Sequence, residues 1–243
     1  MPTLNLLVMS DIHCRFAHFA PARLPDADLA IVAGDLTNDG VSRPEPASSG
    51  LLAWLIANGR RPEELLETEP QVDRAAAWLT ELAERHPVFW VPGNHDIGIT
   101  AATFSDIPNC TCILDRTVQF AGQTFHGVSL SPGDSFLARR WDYMTDDPTV
   151  EEAAFDFEPA DIVVSHCPPY GGVTDQSADA SGVVFAHYGS PALRAYIERC
   201  APRLVICGHV HEAERREQIG RTLVYNTAER WTVLKMPVSA AAS

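Results

Sequence analysis

"PVFWVPGNHD" (Pro87–Asp96) joins a short apolar run to a glycine, an amide, an imidazole and a carboxylate. The apolar half reads as a strand, and the polar half as a tight turn presenting Asn94, His95 and Asp96. Four other segments follow the same grammar: "LNLLVMSDIH" (Leu4–His13), "DLAIVAGD" (Asp28–Asp35), "DIVVSH" (Asp161–His166) and "RLVICGHVH" (Arg203–His211). Short, continuous Val/Ile/Leu-rich runs mark strands that are covered on both faces. Between the second and third runs, Val72, Ala75, Ala76, Leu79, Leu82 and Ala83 recur at helical spacing. Before the fifth, Ser190-Pro191 supplies an N-cap and a first-turn proline, and Leu193 and Ile197 give that helix an apolar stripe. Strands alternating with helices predict an α/β architecture. In such sheets ligands bind beyond the carboxyl ends of the strands, where all five polar clusters fall.

The remaining segments add detail around this frame. "TVQF-AGQ-TFHGVSL", within Ile113–Leu130, alternates apolar and polar residues about a glycine turn and predicts an antiparallel hairpin. Residues 41–70 combine a Pro/Ser-rich link, the apolar stretch "LLAWLIANG" and an acidic helical stretch, and are read as an insertion over the core. The expected organisation is one domain over residues 1–238, followed by a frayed tail at 239–243.

Composition narrows the function. With 243 residues, 46% of them hydrophobic, the chain can bury a full core. The first residues, "MPTLNLLVMSD", lack a basic leader and read as a core strand, not a signal peptide. No run approaches the roughly 18 apolar residues of a membrane span. A chain of this size does not need its six cysteines as disulfide staples, so reduced thiols in a cytoplasmic protein are expected. A net charge of −14 repels nucleic-acid backbones and anionic lipid. Phosphate handled by such a surface must be neutralised locally, and bound metal is the obvious means.

The strand ends offer four imidazoles (His13, His166, His209, His211), two carboxylates (Asp11, Asp35) and the amide of Asn94. In an extended "D-x-H" or "H-x-H" segment both side chains point the same way. Seven donors exceed one tetrahedral zinc but suit two ions about 3.5–4 Å apart that share Asp35. Mixed nitrogen and oxygen ligation favours Mn, Fe or Zn over Mg.

In this order and spacing, "SDIH", "GDLTNDG", "PGNHD", "SHCPPYGG" and "CGHVHE" resemble the calcineurin-like metallophosphoesterases, from about Leu4 to Thr227. The resemblance implies a two-sheet β-sandwich flanked by helices and two divalent transition-metal ions. It implies that Asp11, His13 and His211 bind one ion, Asn94, His166 and His209 the other, and that Asp35 bridges. It implies attack on phosphorus by a metal-bridging hydroxide. His95 would face the substrate as charge stabiliser or general acid, with Asp96 orienting the loop or the imidazole. Where family protein phosphatases carry an Asp-Arg pair, this chain has Asn38 and Asp39. The lost arginine argues against phosphoprotein substrates and for small phosphodiesters, cyclic nucleotides among them, ahead of phosphomonoesters. Asn38 is the expected neighbour of His95. The alternatives are a DNA nuclease of the same family, against which the acidity weighs, and a non-catalytic scaffold, against which the full ligand set weighs.

Outside these blocks, His18, His86 and His126 are read as surface or packing residues, and "CTC" (Cys110–Cys112) as strand. His187 in "FAHYGS" precedes a helix N-cap and is read as an ordinary loop residue, the sharper reading being an approach to substrate. "RRWDY" (Arg139–Tyr143) is read as a surface loop with anchoring aromatics, the sharper reading being a lid that grips phosphate or stacks on a base.

Overall fold

The computed structural model describes residues 3–38, 71–139, 141–178, 184–213 and 215–237. The expected 41–70 insertion and the 239–243 tail lie outside them, as does Asp39. The first sheet holds β1 (Thr3–Met9), β2 (Leu29–Ala33), β3 (Val88–Val91), β4 (Cys110–Cys112) and β15 (Trp231–Pro237), in the order β15-β1-β2-β3-β4. β1 to β4 run parallel and β15 closes the edge antiparallel to β1. The second sheet has the order β13-β14-β12-β9-β6-β5. Its members are β5 (Thr117–Phe120), β6 (Gln123–Val128), β9 (Ile162–Ser165), β12 (Leu204–Cys207), β13 (Arg216–Ile219) and β14 (Thr222–Asn226). Its four inner strands are parallel. Two short pairs lie outside the sheets: β7 (Ser131–Pro132) with β8 (Met144–Thr145), and β10 (Gln176–Ala178) with β11 (Val184–His187). This is the expected α/β sandwich of two mixed sheets flanked by helices.

Why the runs are apolar on both faces follows from the layers. Alternate side chains of β1, β2 and β3 (Leu6, Val8, Ile31, Val91 among them) meet Phe125, Ile162, Val164 and Ile206 of the second sheet. The intervening residues Leu7, Met9, Val32 and Trp90 point the other way, onto Trp78, Leu79 and Leu82 of α1 (Gln71–Arg85). On the far side, Val163, Val205 and Val224 are covered by Leu193, Tyr196 and Ile197 of α4 (Pro191–Cys200). Period-two alternation therefore buries every position. The short helices α2 (Ser135–Ala138) and α3 (Pro148–Ala154) are capped by Asp134 and Asp147, whose carboxylates accept from helix N–H groups. α4 is capped by the Ser190 hydroxyl as expected.

The hairpin forms at β5-β6, where Phe120 pairs with Gln123 across Ala121 and Gly122. Both loop residues have positive φ, 49° and 73°, the conformation that matches strand twist in a two-residue turn. "CTC" is strand β4, and all six cysteines are unpaired. His86 and His126 are packing residues, and His18 is exposed. No described helix is long and apolar enough to cross a membrane.

His126 stacks face to face on Phe157 at 3.6 Å between ring centroids and hydrogen-bonds Thr117 Oγ1 at 2.8 Å. Burial pushes its pKa down to about 4. The folded state therefore holds the neutral ring, and the unfolded chain takes up the proton first as pH falls below about 6.5. Stability is expected to be complete above that pH and to decline as pH falls toward about 4. Urea midpoints measured across this window should fall for the wild type and fall less steeply for His126→Phe.

Candidate metal centre

Each predicted ligand sits one to four residues past a parallel strand. Asp11 and His13 follow β1, Asp35 follows β2, Asn94 follows β3, His166 follows β9, and His209 and His211 follow β12. The means of presentation differs from the expected one. Asp11 and His13 are not extended: their φ values are 54° and 46°, with Cys14 at 58°, Asp35 at 55° and His209 at 69°. Left-handed residues of this kind cost about 1–3 kcal/mol each. They turn each chain sharply at the strand end, so the side chains converge by backbone reversal and not by strand alternation.

Backbone ladders hold these reversals. Asp11, His13 and Cys14 donate N–H to the carbonyls of Gly34, Asp35 and Leu36, each at 3.0 Å. α1 grips the same loops: Arg74 reaches Cys14 O at 3.1 Å, Trp78 Nε1 reaches Phe19 O at 2.9 Å, and Gln71 Oε1 accepts from Asn38 N at 2.8 Å. Asp96 accepts from the N–H groups of Leu36, Thr37 and Gly93 and from Thr37 Oγ1. Its role is thus to fix the Asn94-His95 turn against the Asp35 loop. Burial, then the nearby Asp35 charge, push its pKa up to about 6 against those hydrogen bonds.

Asp11 and Asp35 are both buried. Asn94 Oδ1 lies 2.9 Å from His166 Nε2 and 2.9 Å from His209 Nδ1. His211 Nε2 lies 3.1 Å from Asp11 Oδ1, and His166 Nε2 3.3 Å from Asp35 Oδ2. The two sheets meet here, because His166 Nδ1 donates to Ala33 O and His209 N–H donates to the Asp11 carboxylate. With acceptors at both ring nitrogens, His166 is held as an imidazolium. Burial alone would lower its pKa, but the Asp35 charge and hydrogen bond carry it to about 9. Burial likewise opposes ionisation of Asp11, yet the His211 hydrogen bond and the His166 charge bring it to about 2. Burial keeps His209 neutral, with a pKa of about 3.

Two groups of these residues could each hold a metal ion. Ligand atoms of Asp11, His13 and His211 lie within 4.8 Å of one another, as do those of Asp11, Asp35 and His166. His13 Nδ1 faces Thr37 O at 3.3 Å, which leaves a lone pair on Nε2. Among the described residues that nitrogen has no hydrogen bond, and it is buried 3.7 Å from Asp35 Oδ2. A neutral imidazole nitrogen so placed is available as a metal donor. The proton shared around His166, Asp35 and Asn94 occupies ground that a metal takes by displacing it.

His95 differs from the other imidazoles. Its backbone N–H donates to Asp35 Oδ1 at 2.8 Å, while its ring stands edge-on to His13 at 5.1 Å and beside Trp141 at 5.0 Å. The Arg139–Tyr143 loop is thereby anchored on the His95 turn: Asp142 accepts from Gly98 N, and Tyr143 OH donates to Ile99 O at 2.5 Å. Three supporting residues escaped the sequence reading. Ser10 donates to Asp11 and receives a hydrogen bond from Thr227 at 2.5 Å, and Glu229 lies 3.5 Å from His211 Nδ1. Thr227 stood at the end of the motif-bearing region, the one available signal.

Gly34, at φ 94°, and Gly208 are required by close approach: a Cβ on the first would strike the His166 ring, and on the second the Asp11 carboxylate and Ser10. Gly208→Ala is expected to weaken Mn binding about ten- to hundred-fold, the range for displaced ligand supports. Asp35→Asn removes the shared charge and should strip bound Mn. Equilibrium dialysis with elemental analysis measures both, and unchanged Mn content would sink the assignment.

Comparison with known proteins agrees with this geometry. Residues 4–213 match the family model described as calcineurin-like phosphoesterase. The chain is 28% identical over 238 residues to an uncharacterised protein of Methanocaldococcus jannaschii, covering 93% of this chain and 89% of that one. It is 25% identical over 254 residues to a UPF0046 protein of Caenorhabditis elegans, covering 94% and 70%. Among solved structures, TT1561 of Thermus thermophilus superposes with a TM-score of 0.59 at 16% identity, over 96% of this chain and 98% of that one. The phosphopantetheinyl hydrolase PptH of Mycobacterium tuberculosis gives 0.52 at 16%, over 91% and 88%. These two likenesses concern the fold. By the extent of the family match, over strand ends that converge as described, the chain belongs to the calcineurin-like phosphoesterase family.

Proposed function

We propose that this chain is a metal-dependent hydrolase of small phosphoric esters, phosphodiesters ahead of monoesters. One observation carries the reading: side chains from five strand ends converge around buried Asp11 and Asp35, and His13 Nε2 has no hydrogen-bond partner among the described residues. Asp11, His13 and His211 would hold one divalent ion, Asn94, His166 and His209 a second, and Asp35 both. Bound there, the ions supply Lewis-acid polarisation of a phosphoryl oxygen and of the attacking water.

The chain's own residues do the rest. The His95 ring is held beside the centre by its backbone bond to Asp35 and by Trp141. From there it donates a proton to the departing ester oxygen. Asp96 keeps that turn in place through Thr37 and Leu36, and Asn38 is fixed by Gln71 at the head of α1, next in the chain to Thr37, whose hydroxyl donates to His95 O. The net charge of −14 favours small substrates over long polyanions.

A panel of a bis-aryl phosphodiester, an aryl monophosphate, cyclic nucleotides and single-stranded DNA, assayed with Mn, tests the reading. Diesters are expected to turn over fastest and DNA slowest. No hydrolysis of any member with Mn, Fe or Zn would overturn it. His95→Ala should retain its metal yet lose about 10²–10⁴-fold in turnover. Metal loss in that variant would reassign His95 as a ligand.

A further inference from the structure

Directly after the proposed ligand His166, residues 167–178 and 184–190 form a rim joined to the His209–His211 turn. Cys167 Sγ is 3.3 Å from Tyr188 O, and Tyr170 N–H donates to Ser190 O at 3.0 Å. Asn226 stitches the same segment to the ligand turn, its amide donating to Thr174 O and to Val210 O, between His209 and His211. This rim has an unusual surface. Of the seven large hydrophobic side chains exposed among the described residues, Tyr170, Val173, Val184 and Tyr188 all lie here. Clustered apolar exposure beside a polar site marks a contact surface for a ligand.

Within the rim one imidazole is fixed by construction. Asp175 is wholly buried and accepts from the backbone N–H groups of Gly171, Gly172 and Gly189. Its Oδ1 also takes the Nδ1–H of His187 at 2.9 Å. The carboxylate therefore sets both the tautomer and the direction of the ring. His187 is 30% exposed, and its Nε2 has no hydrogen bond among the described residues. The Tyr170 ring, 47% exposed, stands 5.6 Å from it at 57°. A loop that needed only stitching would be served by the glycine N–H bonds. Ordering an outward-facing imidazole beside an open aromatic face provides a polar contact and a stacking face together.

We propose that Tyr170 and His187 form a subsite for a flat aromatic group esterified to the phosphate, as in an aryl or nucleoside ester. Tyr170 stacks on the face of that group, and the His187 ring packs against its edge, with Nε2 turned toward a ring heteroatom where the group carries one. Asp175 positions His187. The subsite rests on the reading of the metal centre as the phosphate-binding site, and it makes His187 more than the loop residue expected from its motif.

The test is calorimetric titration of the Mn-loaded full chain with phenyl phosphate and with methyl phosphate, which requires no turnover. The wild type is expected to bind phenyl phosphate about ten-fold or more tightly than methyl phosphate. Tyr170→Ala should erase most of that preference while leaving methyl phosphate affinity within about two-fold. His187→Gln should weaken phenyl phosphate with an unchanged melting temperature. Equal affinity of the wild type for both probes, or equal weakening of both in the variants, would overturn the subsite alone. Failure of either probe to bind Mn-loaded protein would overturn the phosphate-site reading and the subsite with it.

Discussion

Two carboxylates, Asp11 and Asp35, are buried together where the sheets meet. Each loses solvation worth several kcal/mol on leaving water, and like charges so placed oppose one another. The surroundings answer this. Asp11 receives Ser10, His209 N–H and His211, and Asp35 receives His95 N–H and the His166 charge. Burial opposes the ionisation of both groups, yet both are held ionised. Two negative charges maintained in the interior are what the proposed cation site requires. The orphan His13 nitrogen and the bent strand ends follow from the same requirement.

The sandwich makes that site possible. Parallel strands place their carboxyl ends on one rim, and closing two such sheets face to face brings the rims together. The interior is indifferent to chemistry: Leu, Ile, Val and Phe fill the space between the sheets. Backbone strain is concentrated at the rim, where four of the proposed ligands adopt left-handed conformations. Rigid layers behind the rim can absorb that cost, and loops on a flexible scaffold would relax out of it.

Much of this was legible in the residues. Each strand that carries a ligand is a continuous apolar run ending abruptly in Asp, Asn or His, so both the layers and the site were readable from one pattern. The geometry of delivery was not. An Asp-x-His pair looks the same whether extended or reversed, and only the hydrogen bonds from Asp11, His13 and Cys14 to the neighbouring loop distinguish the two. Ser10, Thr227 and Glu229 were invisible for another reason. Hydroxyls and single carboxylates are common, and the Thr227–Ser10 bond spans 217 residues. The antiparallel edge β15 was missed because its exposed positions break the apolar run.

The long reach of these contacts bears on when the proposed cation site forms during folding. His209 and Asp11, joined across the sheet seam, are 198 residues apart in the chain. A fragment ending before His209 lacks His209 and His211, two of the proposed donors, and a half-folded sandwich presents its carboxylates to water. Contacts of such separation form late, because loop-closure entropy must be met first. The proposed cation site is therefore completed only when both sheets have closed on each other, late in folding.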